Sequence, residues 1–186
     1  MPRKRHLFDT PDRFVAGTIG APGNRTFFLQ AREGSRVISV SLEKVQVAAL
    51  AQRLVEMLEE LDRRGIEDAA EVEGEVGDVE ALDEPLNEAF RVGVLSLGWD
   101  TADELVILEA REMTDEEEEE EAEEDDDEAE DGPDLMRVRI TPAEARRWVA
   151  RAVRVLAAGR PPCPLCGQPL DPQGHLCPRR NGHLLN

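Results

Sequence analysis

Residues 115–131 are fifteen acids and two alanines. No hydrophobic core can accept such a segment, because its charges repel one another and its alanines offer almost nothing to bury. The fold must be completed by the chain on either side, with residues 114–133 as a disordered acidic insertion. Loop-closure entropy grows slowly with length, so an insertion of this kind costs little stability. A nucleic-acid mimic, a metal sponge, a dock for a basic partner or an autoinhibitory cover over nearby arginines are the functional alternatives to a merely solvated loop.

The rest of the charge is segregated too. Residues 1–55 carry nine basic and four acidic side chains, residues 56–114 four and nineteen, and residues 134–186 nine and three, within a chain of net charge −19. No apolar run approaches the roughly 18 residues of a membrane span, so no membrane partner is expected. The basic start Met1–His6 is not followed by an apolar stretch, which argues against a signal peptide and for a cytoplasmic protein. The three cysteines fall in the last 24 residues, an odd cluster that makes no disulfide framework.

Alternating apolar residues predict strands around Phe14–Ile19, Thr26–Gln30 and Val37–Val40, joined by turns at 21–24 and 33–35. Ser41 is the expected N-cap of a helix whose apolar face is led by Val45, Val55 and Leu58, with Gly65 as its stop. Residues 66–87 form an acidic linker. From Glu88 the strand signal returns through Leu97 to a Gly-Trp-Asp turn at 98–100, and a second strand covers Glu104–Glu112. A third, Leu135–Ile140, leads into a helix opened by Thr141, Pro142 and Glu144, whose apolar face includes Trp148, Val149 and Val155 and which Gly159 ends.

The halves 1–65 and 88–159 match. Phe14-Val-Ala-Gly17 aligns with Phe90-Arg-Val-Gly93, and Leu29-Gln-Ala-Arg-Glu33 with Leu108-Glu-Ala-Arg-Glu112. The fold expected is α+β: two βββα repeats, an antiparallel sheet packed on helices, followed by a small zinc knuckle at 160–186.

That knuckle is the sharpest chemical signal. Cys163-Pro-Leu-Cys166-Gly places two thiolates to wrap one Zn²⁺, and Cys177 adds a third. His175, two residues before Cys177, would point the same way in an extended segment and is the favoured fourth ligand; His183 is the alternative. Four protein ligands leave no open position for water, so the zinc would be structural. A redox Cys-x-x-Cys would want a strand-to-helix setting, whereas this one follows Arg160-Pro161-Pro162 in a proline-rich stretch.

Arg147, Arg151 and Arg154 share a helix face away from Trp148, and Arg179 and Arg180 flank the knuckle, which would suit a phosphate backbone. No aromatic residues interleave with them for base stacking, so nucleic acid is possible but not favoured. P-loop, zinc-protease and nucleophile-elbow motifs are absent from the sequence. His6, Asp9 and Asp12 read as capping and turn residues, although Asp9, Asp12, Arg13 and Arg25 with the hairpin glycines could meet an anionic ligand between the repeats. Three functions follow: a non-catalytic adaptor or regulatory module with a protein partner, a nucleic-acid-binding protein, and a small-molecule enzyme.

The opening Phe8-Asp9-x-Pro11-Asp12-Arg13-Phe14, the hairpin Gly17-Thr18-x-Gly20 with Arg25-Thr26-Phe27, and the tail Cys163-Pro-x-Cys166-Gly…Gly174-His175-x-Cys177-Pro-Arg carry a resemblance. With these features the chain resembles the actinobacterial domain-of-unknown-function family 3090 over its whole length apart from the acidic insertion. The resemblance implies a conserved hypothetical protein and brings no activity with it.

Overall fold

The computed structural model describes residues 3–66, 78–114, 132–159, 163–166 and 177. Among them are strands β1 (Arg5–Asp9), β2 (Arg13–Ile19), β3 (Thr26–Glu33), β4 (Arg36–Leu42), β5 (Glu88–Asp100), β6 (Leu105–Glu112) and β7 (Leu135–Ile140). Helix α1 is Lys44–Arg63 and helix α2 is Pro142–Ala157. The strands form one mixed sheet in the order β1-β7-β6-β5-β4-β3-β2. Pairing is antiparallel except where β4 meets β5 and β1 meets β7.

This order forces the sheet to curl. β1 and β2 lie at opposite ends of seven strands, which in a flat sheet would put them about 29 Å apart at roughly 4.8 Å per strand. Only Thr10–Asp12 connect them, a link that spans no more than about 14 Å. β5 provides the bend: Ser39 and Ser41 of β4 pair with Glu88 and Arg91, whereas β6 pairs from Val92 onward, with a register shift between Val92 and Val94. Gly93 sits at the shift, where a Cβ would come within 2.8 Å of the Met113 backbone.

One face of the sheet carries both helices. Ala16, Leu29, Val40, Val92, Leu108 and Val138 meet Val47, Leu50, Leu54 and Leu58 of α1 and Ala145, Trp148 and Ala152 of α2 in one core. On the opposite face Val15 and Phe28 pack with Leu82, part of a strap (78–86) that crosses the sheet without regular structure. Buried Gln30 fixes the strap: its amide donates to the Asp83 carbonyl and its carbonyl accepts from the Asp83 N–H.

Several expectations are corrected. The stripe that α1 buries is Val47, Leu50, Ala51, Leu54, Leu58 and Leu61, while Val45 and Val55 are 73% and 39% exposed. Leucines four residues apart bury more apolar area than the neighbouring valine–alanine stripe, which also carries Gln52. Ser41 is not the N-cap; β4 runs on to buried Leu42, the Ser41 hydroxyl donates to Glu88, and Glu43 caps α1 in a capping box with Gln46. β5 continues through Gly98-Trp99-Asp100, so its turn is 101–104, because Trp99 still pairs with Val106 and packs on the core. His6 and Asp9 lie in a strand rather than a turn, held by the parallel partner β7 and by fully buried Phe8. The expected cap of α2 is present: the Thr141 side chain accepts from the Glu144 N–H, with Pro142 opening the helix.

The half 1–65 holds four strands before its helix, because β1 precedes the three expected ones, whereas 88–159 holds three strands and a helix. Leu29–Glu33 and Leu108–Glu112 occupy the last five positions of two eight-residue strands. The other match is out of register. Phe14 pairs with Ala31, but Ala110 pairs with Leu95, five residues beyond Phe90.

Candidate metal centre

α2 ends at Ala157, and Gly159 follows two residues later with the chain already out of the helix. Cys163 then opens a turn over Pro164–Cys166. This turn and Cys177 bring three sulfur atoms within 4.8 Å of one another, with Cys163 Sγ and Cys177 Sγ 3.9 Å apart. Those sulfurs are far beyond the roughly 2.05 Å of a disulfide. They match the separation of about 3.8 Å that a tetrahedral ion with Zn–S bonds near 2.3 Å requires.

The local backbone favours thiolate at the first position. N–H groups of Cys166 and Leu165 point at the Cys163 sulfur and hold its thiol below the ordinary range, outweighing the opposing effect of burial. Cys163 and Cys177 are buried and Cys166 is half-buried. Three soft, closely spaced thiols could hold a metal ion, and the donor set suits zinc. His175 and His183, the expected sources of a fourth ligand, lie outside the described residues, as do Arg179, Arg180 and the acidic run.

The other expected site residues do not converge. Asp9 and Asp100 both bind Arg139, which also reaches Asp103 at 2.6 Å. The Asp12 carboxylate accepts from the Gly34 N–H at 2.6 Å. Arg25 lies across the molecule, donating to the Val155 and Ala158 carbonyls at the end of α2. Arg13 is buried and bonded to Asp78 and Asp83, and it also donates to the Ala81 carbonyl at 2.9 Å. No single anion pocket gathers these four residues.

The arginine face of α2 is likewise corrected. Arg151 is 6% exposed; it donates to the Ala16 carbonyl at 2.6 Å, to the Asp78 carboxylate at 2.8 Å and to the Glu80 carbonyl at 2.8 Å. Arg154 donates to the Asp78 carbonyl, Arg146 pairs with Asp62 and Arg137 with Glu109. Helical spacing places Arg151 away from Trp148, but the strap and the β2 edge close over it.

Asp78 is the residue that sequence reasoning missed. Its hydrogen bond from Arg13 holds the carboxyl below the usual range against the opposing effect of burial, and the Glu80 N–H and Arg151 reinforce this. One aspartate among 41 acidic residues carries no local signal of such a role.

Among the described residues no helix is long and apolar enough to cross a membrane. A family model described as "Protein of unknown function (DUF3090)" matches residues 6–177. No curated protein and no solved structure matches the chain.

Proposed function

Because the chain belongs to the DUF3090 family, whose description names no activity, we propose a function from its own residues: a non-catalytic binding module whose C-terminal segment is fixed by a structural zinc ion. The observation that carries this reading is the convergence of Cys163, Cys166 and Cys177 within 4.8 Å. His175 completes a closed tetrahedral site, with His183 as the competing ligand. A site of that type leaves no position for a substrate and supplies binding energy to a segment poor in apolar residues.

The module reading draws further support from how the conspicuous charged residues are used. Arg13, Arg139 and Arg151, with Asp78, hold strands, strap and helix together. The partner is a cytoplasmic protein that recognises the folded sheet-and-helix body. The segments β2–β4 with α1 and β5–β7 with α2 are read as a duplicated βββα unit, on that order and the Leu-x-Ala-Arg-Glu likeness.

Native mass spectrometry with a zinc assay tests the metal. One zinc per chain is expected, lost in Cys163→Ser and in His175→Ala but kept in His183→Ala. Protein without metal, or with a ligand position that exchanges freely, would overturn the structural assignment. A pull-down at physiological salt that yields no stoichiometric protein partner would count against the module reading.

A further inference from the structure

A concavity of about 700 Å³ lies between α1 and the second half of β5. Its size falls within the range of small-molecule sites, roughly 300–1,000 Å³. The apolar wall comes from Ala49, Leu50 and Met57 on the helix and from Leu95 and Leu97 on the strand. The strand side of the cleft begins at Gly93, where β5 has ended its pairing with β4 at Arg91 and shifts register against β6.

Three polar side chains line it, and two are committed to the protein. The Gln46 amide donates to the Val92 and Gly93 carbonyls, and its carbonyl accepts from the Glu43 N–H. The Glu56 carboxylate accepts from the neutral Gln52 amide at 3.0 Å and keeps its charge, so an anionic group is accommodated only at the Arg53 guanidinium. Arg53 is different: it has neither ion pair nor hydrogen bond among the described residues. An apolar wall with one uncommitted guanidinium has a definite complement, an apolar body ending in a single anionic group. A carboxylate meets a guanidinium through paired, charge-assisted hydrogen bonds, and unbranched Met57 can adapt to the body of the ligand.

We infer that this cleft binds a lipophilic monocarboxylate, with its chain along Leu95, Leu97 and Met57 and its carboxylate on Arg53. The site is separate from the thiol cluster and does not depend on zinc.

The test is an NMR titration of methyl-labelled full-length protein with decanoate and, separately, with 1-decanol. Decanoate should bind saturably, one per chain, with the largest shifts at Leu95, Leu97 and Met57. Arg53→Ala should weaken decanoate about tenfold and leave any decanol binding unchanged. Ala49→Glu, at an exposed helix position, should also weaken decanoate by placing a carboxylate in the mouth. Both substitutions lie on the helix surface, and Arg53→Gln gives the same readout with a polar but uncharged side chain in place. No saturable shift at millimolar decanoate, shifts centred elsewhere, or equal affinity in Arg53→Ala would overturn the inference.

Discussion

The Nε–H of Arg151 meets the carbonyl oxygen of Ala16 at 2.6 Å, tying α2 to β2 across 135 residues of chain. The same guanidinium holds the strap through the backbone and side chain of Asp78 and the Glu80 carbonyl. β2 ends the sheet and β1 ends it on the other side, where Arg36 donates to the Leu7 carbonyl and stacks over Phe8. An arginine thus occupies backbone acceptors at each edge strand, which discourages edge-to-edge pairing with other chains.

Arg151→Ala should therefore cost about 2–4 kcal/mol, because it strands a buried carbonyl and leaves Asp78 with less positive charge. Arg151→Lys should recover little, since one ammonium cannot reproduce the forked geometry. Urea denaturation reads both; a loss under about 0.5 kcal/mol would mean that Arg13, Gln30 and Leu82 hold the strap without Arg151.

Gly17 is needed for close approach. A Cβ there would lie 2.5 Å from Leu82 Cδ2 and 2.6 Å from its Cγ. Gly17→Ala should destabilise by about 1–3 kcal/mol through overpacking. Leu82→Ala made in that background should cost less than it does in the wild type, a coupling that a double-mutant cycle measures. Strictly additive effects would place the strap further from β2.

His6 makes stability depend on pH. Burial holds its imidazole below the ordinary value; Asp134 opposes this, while Arg36 and Lys4 reinforce it. Its Nε2 is buried without a hydrogen-bond partner among the described residues. Between the folded pKa and the unfolded value near 6.5 the unfolded chain binds more protons. Stability should rise with pH across that window and level off above about 6.5. His6→Gln should flatten this slope in melting curves recorded from pH 5 to pH 8, a range that brackets the ordinary histidine pKa; an unchanged slope would assign the dependence to another group.

Removing metal should act locally. The core that unites sheet and helices contains none of the three cysteines. A chelator should expose three reactive thiols while the cooperative unfolding of the body persists with a similar m-value. Loss of that transition on chelation would mean the thiol site supports the whole fold.

Features written in short stretches of chain were legible from the sequence. The hairpins at 21–24 and 33–35, the Thr141–Pro142–Glu144 helix start and the three-cysteine pattern each use residues whose chemistry is local. The face of α1 was misread because two apolar stripes compete on one helix, and only the packed sheet decides for Leu50, Leu54 and Leu58. β1 escaped because its partner is β7, about 130 residues away.

By itself the sequence determined the element types, most of their limits and the presence of three thiols able to share an ion. These follow from backbone preference, hydrophobic periodicity and ligand chemistry acting over a few residues. Tertiary structure alone decided that the sheet curls, that Arg151 is buried, that Asp78 joins it to Arg13, and that a cleft opens beside Arg53. Each of these depends on contacts between segments far apart in the chain, where shape and charge are set by which surfaces meet.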